Sequence, residues 1–435
     1  MTTSPVAGKP PPMAAEAASP ILEAYLRRTP KSADAHARAK ILLPGGTSRQ
    51  AGYWAPYPLT FDTADGVFLH DLDGNRYFDL INNYTAMVHG HSYAPIVEAA
   101  QRRAALGTGW AGGNLSQLEL AGQIVHRVAA AEQVRFTNSG TEAGALALNI
   151  ARKVTGRSKL LMARFGYHGS LMEFETGSFG HEGPVTLLAT YNDLADFERV
   201  LAAHGDDIAA VFLEPVLGSG GVVTGAPAFL KGVQTAARKA GALFVLDEVL
   251  TLRFGYSGVQ GDIGLTPDLT MFGKLIGGGY PVGAVGGARD LLKIFDPADL
   301  KLFHTGTFNA NPVTMAAGAV SLSHLTRDAI ERMQAGAETL KDALTRSARD
   351  AGLPFSVNHH GSCLNLYFSA TPPHSSIVRN DAALIGRFHI AAMNHGLFLA
   401  PRGMIALSTV MTPGHLDEIA QRAAAAIADV AAEAG

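Results

Sequence analysis

The sequence predicts an α/β protein in which helices flank a mostly parallel sheet and a smaller α+β domain follows. Three observations lead to this fold class. From residue 85 to about 325, short apolar runs alternate with stretches of helical periodicity, as in strand–helix–strand units. Residues 208–215 and 242–249 are apolar almost throughout, which is typical of strands covered on both faces. Residues 328–435 then change to a long helix, short strands and a closing Ala-rich helix.

The individual elements are predicted in chain order. Residues 21–40 should form a helix, and residues 67–80 a strand pair that turns at Asp73-Gly74. The other predicted strands are 134–137, 159–163, 185–189, 208–215, 242–249 and 269–272, with short ones at 363–368, 397–401 and 404–408. The other predicted helices are 141–155, 328–351 and 415–433. In a parallel sheet of this kind, ligands bind at the carboxyl ends of the strands.

This interpretation divides the chain into four parts. They are a disordered tail, a segment that packs with the small domain, a large ligand-binding domain and the small domain: residues 1–20, 21–80, 81–327 and 328–435. The tail is rich in Pro, Ala and Ser and has no apolar core of signal-peptide length. No apolar run approaches the roughly 18 to 20 residues of a membrane span, so we expect no membrane partner.

Composition restricts the function further. The net charge is 35 − 38 = −3, which excludes a globally basic nucleic-acid binder. The single cysteine, Cys363, cannot form an internal disulfide, so we expect a reducing, cytoplasmic location. Only 17% of the residues are charged, and a typical domain has about 25%. We therefore expect a substantial subunit interface.

Two strand ends carry residues with reactive side chains. Lys274 follows an apolar strand and precedes a glycine cluster. In an apolar pocket a lysine has a lowered pKa and becomes a usable nucleophile, although a lysine reaching solvent from a strand end has the same pattern. Asp247 ends a buried strand, where a carboxylate needs a cationic partner or several donors. An ordinary turn-capping aspartate is the alternative.

Three polar segments follow or face these strands. Residues 138–141 open a helix, and Ser139 and Thr141 would cradle a phosphate there, although Ser139 and Glu142 also fit a plain capping box. Tyr167, beside His168, would stack on a flat ring, or both would be core residues. Residues 304–312, with Thr305 and Thr307, would contact a phosphate in a neighbouring subunit, or form a solvated loop.

The combination indicates more than its parts. A phosphate cradle, a stacking aromatic ring, a strand-end aspartate and a lysine 27 residues later meet the needs of pyridoxal phosphate (PLP). The lysine binds the aldehyde, and the carboxylate keeps the ring nitrogen protonated so that the ring accepts carbanion electrons.

The chain resembles the class III, fold-type I, PLP-dependent aminotransferases, in the branch near glutamate-1-semialdehyde 2,1-aminomutase. The motifs NSGTEA, YHG, LEPV, LDEVLT, FGKLIGGGYPVGAVGG and HTGTFNANP stand in the family's order. The resemblance runs from about residue 40 to the C-terminus. It implies a large domain with a seven-stranded type of mostly parallel sheet and a homodimer with shared active sites.

The resemblance also implies roles. Lys274 matches the lysine that forms a Schiff base with the cofactor and then moves the substrate proton, and Asp247 matches the partner of the pyridine nitrogen. The other implied cofactor contacts are Ser139, Gly140, Thr141, Tyr167, Glu214, Val249 and Thr307, the last from the other subunit. Many family members carry Gln three residues after that Glu, whereas this chain has Leu217. Ser219 is the candidate substitute for the lost contact to the cofactor's phenolic oxygen.

Two arginines indicate the substrate. Arginine binds carboxylates as a two-pronged donor. The resemblance implies that Arg49 binds the substrate carboxylate, and it places Tyr84 and His168 in the same substrate site. Arg402 stands where the aminomutases usually have no arginine, and a second cation suggests a second carboxylate position. With both Arg49 and Arg402 present, the sequence is similar to the bacterial β-phenylalanine (aromatic β-amino acid) aminotransferases.

The leading hypothesis is therefore transamination of a β-amino acid, with 2-oxoglutarate or pyruvate as amino acceptor. The partners are then a small amino acid and a keto acid. The alternatives are the semialdehyde aminomutase, which is an isomerase, another class III transaminase, and a racemase or epimerase. A non-catalytic protein of the same fold is disfavoured by the presence of both Lys274 and Asp247.

Overall fold

The computed structural model describes residues 19–375 and 380–434. Within them, no helix combines the length and the apolar character needed to cross a membrane. The predicted tail lies outside the described residues except for its last two, and Ser19 caps the first helix by accepting a hydrogen bond from the Leu22 N–H.

The strands and helices number 16 and 15 in the described part of the chain. The strands are β1 (Phe61–Asp65), β2 (Phe68–Asp71), β3 (Arg76–Asp79), β4 (Gln133–Thr137), β5 (Lys159–Ala163), β6 (Thr186–Ala189), β7 (Ile208–Leu213), β8 (Val216–Leu217), β9 (Val223–Thr224), β10 (Leu243–Asp247), β11 (Leu269–Gly273), β12 (Gly283–Gly287), β13 (Ser356–His360), β14 (Cys363–Tyr367), β15 (Leu397–Phe398) and β16 (Met404–Ala406). The helices are α1 (Pro20–Arg28), α2 (Pro30–Leu42), α3 (Asn82–Thr85), α4 (Ala94–Ala104), α5 (Leu115–Arg127), α6 (Gly140–Thr155), α7 (Met172–Ser178), α8 (Leu194–His204), α9 (Pro227–Lys239), α10 (Gly258–Ile263), α11 (Arg289–Leu292), α12 (Pro312–His324), α13 (Arg327–Asp350), α14 (Ala382–Asn394) and α15 (Pro413–Ala434).

A seven-stranded sheet forms the centre of the molecule, in the order β4-β12-β11-β10-β7-β5-β6. Strands β11, β10, β7, β5 and β6 run parallel, while β12 runs antiparallel to both of its neighbours. Apolar clusters cover both faces, so the buried strands β7 and β10 are apolar nearly throughout. The predicted fold class is confirmed.

A second core joins the two ends of the chain. Ile21, Trp54 and Phe78 from the first part pack in one cluster with Leu340 and Ile427 from the last. Two small sheets flank this core, in the orders β1-β2-β3-β15 and β13-β14-β16. The boundaries proposed at residues 80 and 327 stay predictions.

Three differences from the predicted elements have local causes. The helix expected over 21–40 is two helices, because Pro30 lacks the N–H that would continue α1 and instead starts α2. Strand β12 was not predicted, since its sequence GAVGG lacks β-branched bulk. The predicted pair around Asp73-Gly74 is present as β2 and β3.

Candidate active site

Lys274 and Asp247 lie at the carboxyl ends of adjacent parallel strands. Asp247 is the last residue of β10, and Lys274 directly follows β11. Lys274 is partly buried and has a positive φ of 50°, which is an unfavourable conformation for a side chain with a Cβ. Burial lowers the pKa of the Lys274 ammonium, while the Asp247 and Glu214 carboxylates oppose this shift. The lysine is thereby favoured as a free amine.

Asp247 is held by two hydrogen bonds. Its Oδ1 accepts the Val249 N–H at 2.9 Å, and its Oδ2 lies 2.9 Å from His168 Nδ1. Asp247 is 4% exposed and His168 is 2% exposed. His168 therefore lies behind the carboxylate, and this buried position does not fit the substrate contact expected for it.

Glu214 is a second buried carboxyl beside these residues. Its oxygens accept the N–H groups of Tyr167 at 3.0 Å and Gly218 at 2.9 Å. Burial raises the pKa of Glu214, and the nearby Asp247 charge raises it further. Leu217 is fully buried in the apolar cluster beneath the sheet and Ser219 is exposed.

The residues expected to cradle a phosphate open helix α6. Ser139 is its N-cap and accepts the Glu142 N–H at 3.1 Å, while Glu142 Oε2 accepts the Asn138 N–H at 2.9 Å. The Ser139 bond is the first half of a capping box, while Glu142 binds the N–H one residue before the cap instead of the N–H of the cap itself. A hydroxyl has one donor and two acceptor positions, so capping leaves the Ser139 O–H free to donate to an anion. Thr141 Oγ1 accepts the Ser170 N–H at 3.3 Å.

Close backbone approaches surround this loop. A Cβ on Gly283 would lie 2.0 Å from the Ser139 carbonyl oxygen, and one on Gly169 would lie 2.6 Å from the Thr141 Cα. Val249 Cγ1 would lie 3.2 Å from a Cβ on Gly140. Glycine is therefore needed at Gly283 and Gly169 for the loop to fit against the sheet.

The loop 304–311 lies next to the phosphate cradle of the same chain. Asn138 Nδ2 donates to Asn309 Oδ1 at 2.8 Å, and Arg135 Nε donates to His304 Nδ1 at 2.9 Å. Thr305 and Thr307 are exposed. Thr307 thus projects from a loop that is fixed at both ends.

Arg402 lies among the residues of the site. Its charge interacts with Tyr84, Tyr167 and Glu214, and it lowers the pKa of Lys274. Its Nε is buried without a hydrogen-bond partner in the described residues. The described part of the chain also shows no carboxylate within salt-bridge distance of its guanidinium.

Tyr84 interacts with both Arg402 and Arg49. Burial raises the pKa of its hydroxyl, and the positive charges of the two arginines lower it. The Arg49 guanidinium lies 5.6 Å from the centre of the Tyr84 ring, and Arg49 Nη1 donates to Asn83 Oδ1 at 2.9 Å. The Tyr84 O–H donates to the Ala51 carbonyl. Arg49 is exposed, so it remains open to a ligand.

Sequence reasoning did not single out the backbone that carries Tyr84. The four residues of α3, Asn82 to Thr85, all have positive φ, between 49° and 74°, so α3 is a left-handed turn. The signal was the pair Asn82-Asn83, since asparagine tolerates this conformation better than most residues. The aromatic residues that follow Arg49 differ in burial. Trp54 and Tyr57 belong to the core, and Tyr53 is partly exposed.

These residues fit PLP. Ser139, Gly140 and Thr141 offer hydroxyls and a helix N-terminus to a phosphate, on a loop that packs so closely on Gly283 that a Cβ there would push it away. Asp247 is a buried acceptor for a ring N–H, and Lys274 is an amine with a lowered pKa. Tyr167 is 43% exposed beside Glu214, where a ring can stack on it.

Comparison with known proteins leads to the same family. Residues 51–427 match the model of the family described as aminotransferase class-III. The chain is 38% identical to the β-phenylalanine transaminase of Variovorax paradoxus, over 86% of this chain and 87% of that protein. It is 37% identical to the glutamate-1-semialdehyde 2,1-aminomutase of Rhodopirellula baltica, over 85% and 89%.

The solved structures agree in fold. A transaminase with PLP bound superposes with a TM-score of 0.87 at 32% identity, over 93% of this chain and 99% of that chain. The fold is that of the fold-type I PLP transaminases. The family match spans most of the sequence, and the chain belongs to the class-III aminotransferases.

Proposed function

We propose that the protein transfers the amino group of a β-amino acid, aromatic or aliphatic and similar to β-phenylalanine, to 2-oxoglutarate or pyruvate. The products are a β-keto acid and an α-amino acid. The observation that carries this proposal is Arg402, a partly buried cation beside Lys274 with no carboxylate partner in the described residues. A buried charge of this kind needs an anion, and a substrate carboxylate supplies it.

The pair of arginines suits two acids in turn. In a β-amino acid the carboxylate is one carbon further from the amino-bearing carbon than in an α-amino acid. Arg49 and Arg402 both act on the Tyr84 hydroxyl, so both cations lie near this side chain. One arginine therefore binds the β-carboxylate and the other a carboxylate of the keto acid, while the reacting carbon stays near Lys274.

The roles of the chain's own residues follow from their environments. Bound PLP supplies an electron sink for the carbon that loses its proton. Lys274 Nζ would take up this proton, and burial, which lowers the pKa of its ammonium, favours the amine form that this role needs. Asp247 would accept a hydrogen bond from the ring nitrogen, and Ser139, Gly140 and Thr141 would hold the phosphate. Tyr167 would stack on the ring, and Val249 packs against Gly140 and Gly273 in the same site.

The second candidate is a glutamate-1-semialdehyde 2,1-aminomutase, favoured by the 37% identity to the Rhodopirellula baltica enzyme. Such an isomerase returns the amino group to the same molecule and needs no keto acid. One carboxylate position would then suffice, and Arg402 would have no substrate role.

A half-reaction separates the two candidates. The purified holoenzyme is mixed with β-phenylalanine without a keto acid, and its visible absorption band is followed. We expect the band of the lysine-bound cofactor to bleach. A band that persists, together with 5-aminolevulinate formed from the semialdehyde without added keto acid, would establish the isomerase instead.

Arg402→Ala tests the carrying observation directly. Loss of a charged hydrogen-bond donor to the substrate should lower kcat/KM for β-phenylalanine roughly 10- to 100-fold. Arg349→Ala is the matched control, because Arg349 is exposed and pairs only with Asp350 next to it. Full turnover by Arg402→Ala would remove the basis of the proposal.

We propose further that the active unit is a homodimer. Thr307 is exposed on a loop that the Asn138–Asn309 hydrogen bond fixes to the phosphate cradle, so its hydroxyl is available to a second subunit. In a two-fold dimer the same loop reaches the other subunit. Thr307 would there donate to the phosphate of the neighbouring cofactor.

A further inference from the structure

Arg253 is the largest fully buried side chain of the described residues, at 0% exposure. Its guanidinium donates to three oxygens. Nε donates to Ser362 Oγ at 2.8 Å, Nη1 to the Thr85 carbonyl at 3.4 Å, and Nη2 to the Leu407 carbonyl. In residues 19–375 and 380–434 no carboxylate forms an ion pair with it.

The three acceptors belong to segments that carry the substrate residues. Thr85 ends the left-handed turn α3, which carries Tyr84. Leu407 follows β16, which begins two residues after Arg402. Arg253 itself lies in the short 3-10 turn Thr251–Arg253, six residues after Asp247. One side chain thus links the strand that holds the cofactor partner to both sides of the substrate site.

The turn α3 needs such support. A left-handed backbone costs about 1–2 kcal/mol per residue outside glycine. Asp79 Oδ1 accepts the N–H groups of Ile81 at 2.9 Å and Asn82 at 2.8 Å, which fixes the start of the turn. Asn82 Nδ2 donates to the Ala406 carbonyl at 2.5 Å, and Arg253 holds the last carbonyl.

Burying the charged side chain of Arg253 costs free energy that packing alone does not require. Burial lowers the pKa of the Arg253 guanidinium, which shows that the environment disfavours its charge. A neutral side chain of similar length, such as methionine, avoids this cost. The guanidinium offers its donors in a rigid planar fork, and here each of its three nitrogens donates to a different oxygen.

We propose that Arg253 is a positioning residue that sets the separation between the Tyr84–Arg49 side and the Arg402 side of the substrate site, and so selects where carboxylates bind. The proposal rests on the proposed function, because it takes Arg49 and Arg402 as carboxylate-binding residues. Arg253 touches neither substrate nor cofactor, and it acts through the backbone of α3 and β16.

Binding of unreactive acids tests this role without turnover. The probes are 3-phenylpropionate and glutarate, which lack the reacting groups, and their dissociation constants are read from the cofactor absorbance of the holoenzyme. For Arg253→Met and Arg253→Lys we expect roughly tenfold weaker binding, with an unchanged cofactor band and unchanged borohydride-trapped cofactor. In turnover, the KM values for β-phenylalanine and for the keto acid should rise more than kcat falls. General damage to the fold would instead lower kcat and the amount of bound cofactor.

Two comparisons keep the proposal falsifiable. Ser362→Ala removes one acceptor without leaving a large cavity, so it decides the question if the arginine variants fail to fold; we expect about two- to threefold weaker binding. Unchanged affinity in every variant that folds overturns the proposal. If Arg402→Ala weakens binding while these variants do not, the function stands and the role of Arg253 falls. If Arg402→Ala has no effect either, the proposed function itself fails.

Discussion

Lys274 combines two unfavourable features at one residue. Its φ of 50° costs backbone energy and its amine is buried away from water. Lys274 follows β11 at the edge of the sheet where Asp247 ends β10, and burial lowers the pKa of its ammonium there. The sequence predicted this pair because each residue follows an apolar strand, which gives both position and environment.

Replacing Lys274 tests its role as base. In Lys274→Ala we expect borohydride to trap no cofactor on the protein, and we expect turnover to fall roughly 10²- to 10⁴-fold or more. Peptide mapping after reduction and steady-state kinetics measure the two effects. Lys231→Ala, at an exposed position of α9, should change neither. Trapped cofactor at another lysine would assign the base elsewhere.

Glu248 makes stability depend on pH. Burial raises the pKa of its carboxyl to about 7, although Thr251 and the Gln260 N–H donate to it. The folded state therefore keeps a proton that the unfolded chain releases near the ordinary glutamate pKa of 4.5. This contribution is fully present below that value and is lost as the pH rises toward about 7.

Glu248→Gln should remove this dependence. Between about pH 5 and pH 8 the unfolding free energy of the native protein should fall by roughly 3 kcal/mol relative to that of the variant. Denaturant unfolding of both proteins at each pH gives the comparison. Parallel pH profiles would show that Glu248 does not hold the proton.

The limits of sequence reasoning are visible at the same scale. A strand end predicts Asp247, but no spacing shows that His168 lies behind its carboxylate, since the two are 79 positions apart. The chemistry of an imidazole does not distinguish a buried support from a substrate contact. Burial distinguishes these two roles, and it depends on packing across the sheet.

At the scale of elements, β12 shows how packing overrides propensity. Its sequence GAVGG would be a loop by β-propensity, yet all five residues are buried strand. The glycines let β4 and the phosphate cradle approach, since a Cβ on Gly283 would meet Ser139. The structure thus places protein backbone against Gly283.

Gly283→Ala should disturb the cradle. The added methyl group would lie 2.0 Å from the Ser139 carbonyl oxygen and must push the loop away. We expect at least about tenfold weaker PLP affinity, measured by titrating the cofactor-free protein. Gly122→Ala in α5, where a Cβ meets nothing within 4 Å, is the control and should bind normally. Equal affinities would mean that the loop does not hold the phosphate.

At the scale of the molecule, a group of exposed apolar side chains lies on two neighbouring loops and on helix α5, which follows the first of these loops. The loops are joined by hydrogen bonds, from Asn311 to the Thr108 carbonyl and from Asn114 to the Ala310 carbonyl. Their exposed residues are Leu106, Trp110, Leu115, Leu118, Phe303 and Phe308. The low charge content predicted such a surface, and Thr307 lies within it.

Phe308→Asp tests the proposed dimer. A charge at a side chain that is 66% exposed in the single chain should leave the fold intact and disrupt association. Light scattering after size exclusion should give a monomer with reduced cofactor retention and activity. Val154→Asp, at an exposed position of α6, is the control and should match the native protein in association, cofactor retention and activity. A native protein that is monomeric and fully active would refute the shared site.

The fold class was predictable because strand and helix periodicities are local, whereas the strand order is not. Nothing local places β12 between β4 and β11, or β15 beside β3 at the other end of the chain. For the same reason Arg402 was recognised as a candidate, but its position beside Lys274 was not derivable. Long-range pairing brings residues 128 positions apart into one site.

The cap at Ser139 preorganises the loop that would hold the phosphate. Ser139 binds the Glu142 N–H in the first turn of α6, and Glu142 binds the Asn138 N–H just before the helix, so the protein's own hydrogen bonds hold the loop. A phosphate arriving there meets a preorganised receptor, so its affinity is not reduced by the entropy of ordering a flexible loop. Exchange of the cofactor then leaves the scaffold unchanged, and the protein can be reloaded without refolding any part of the site.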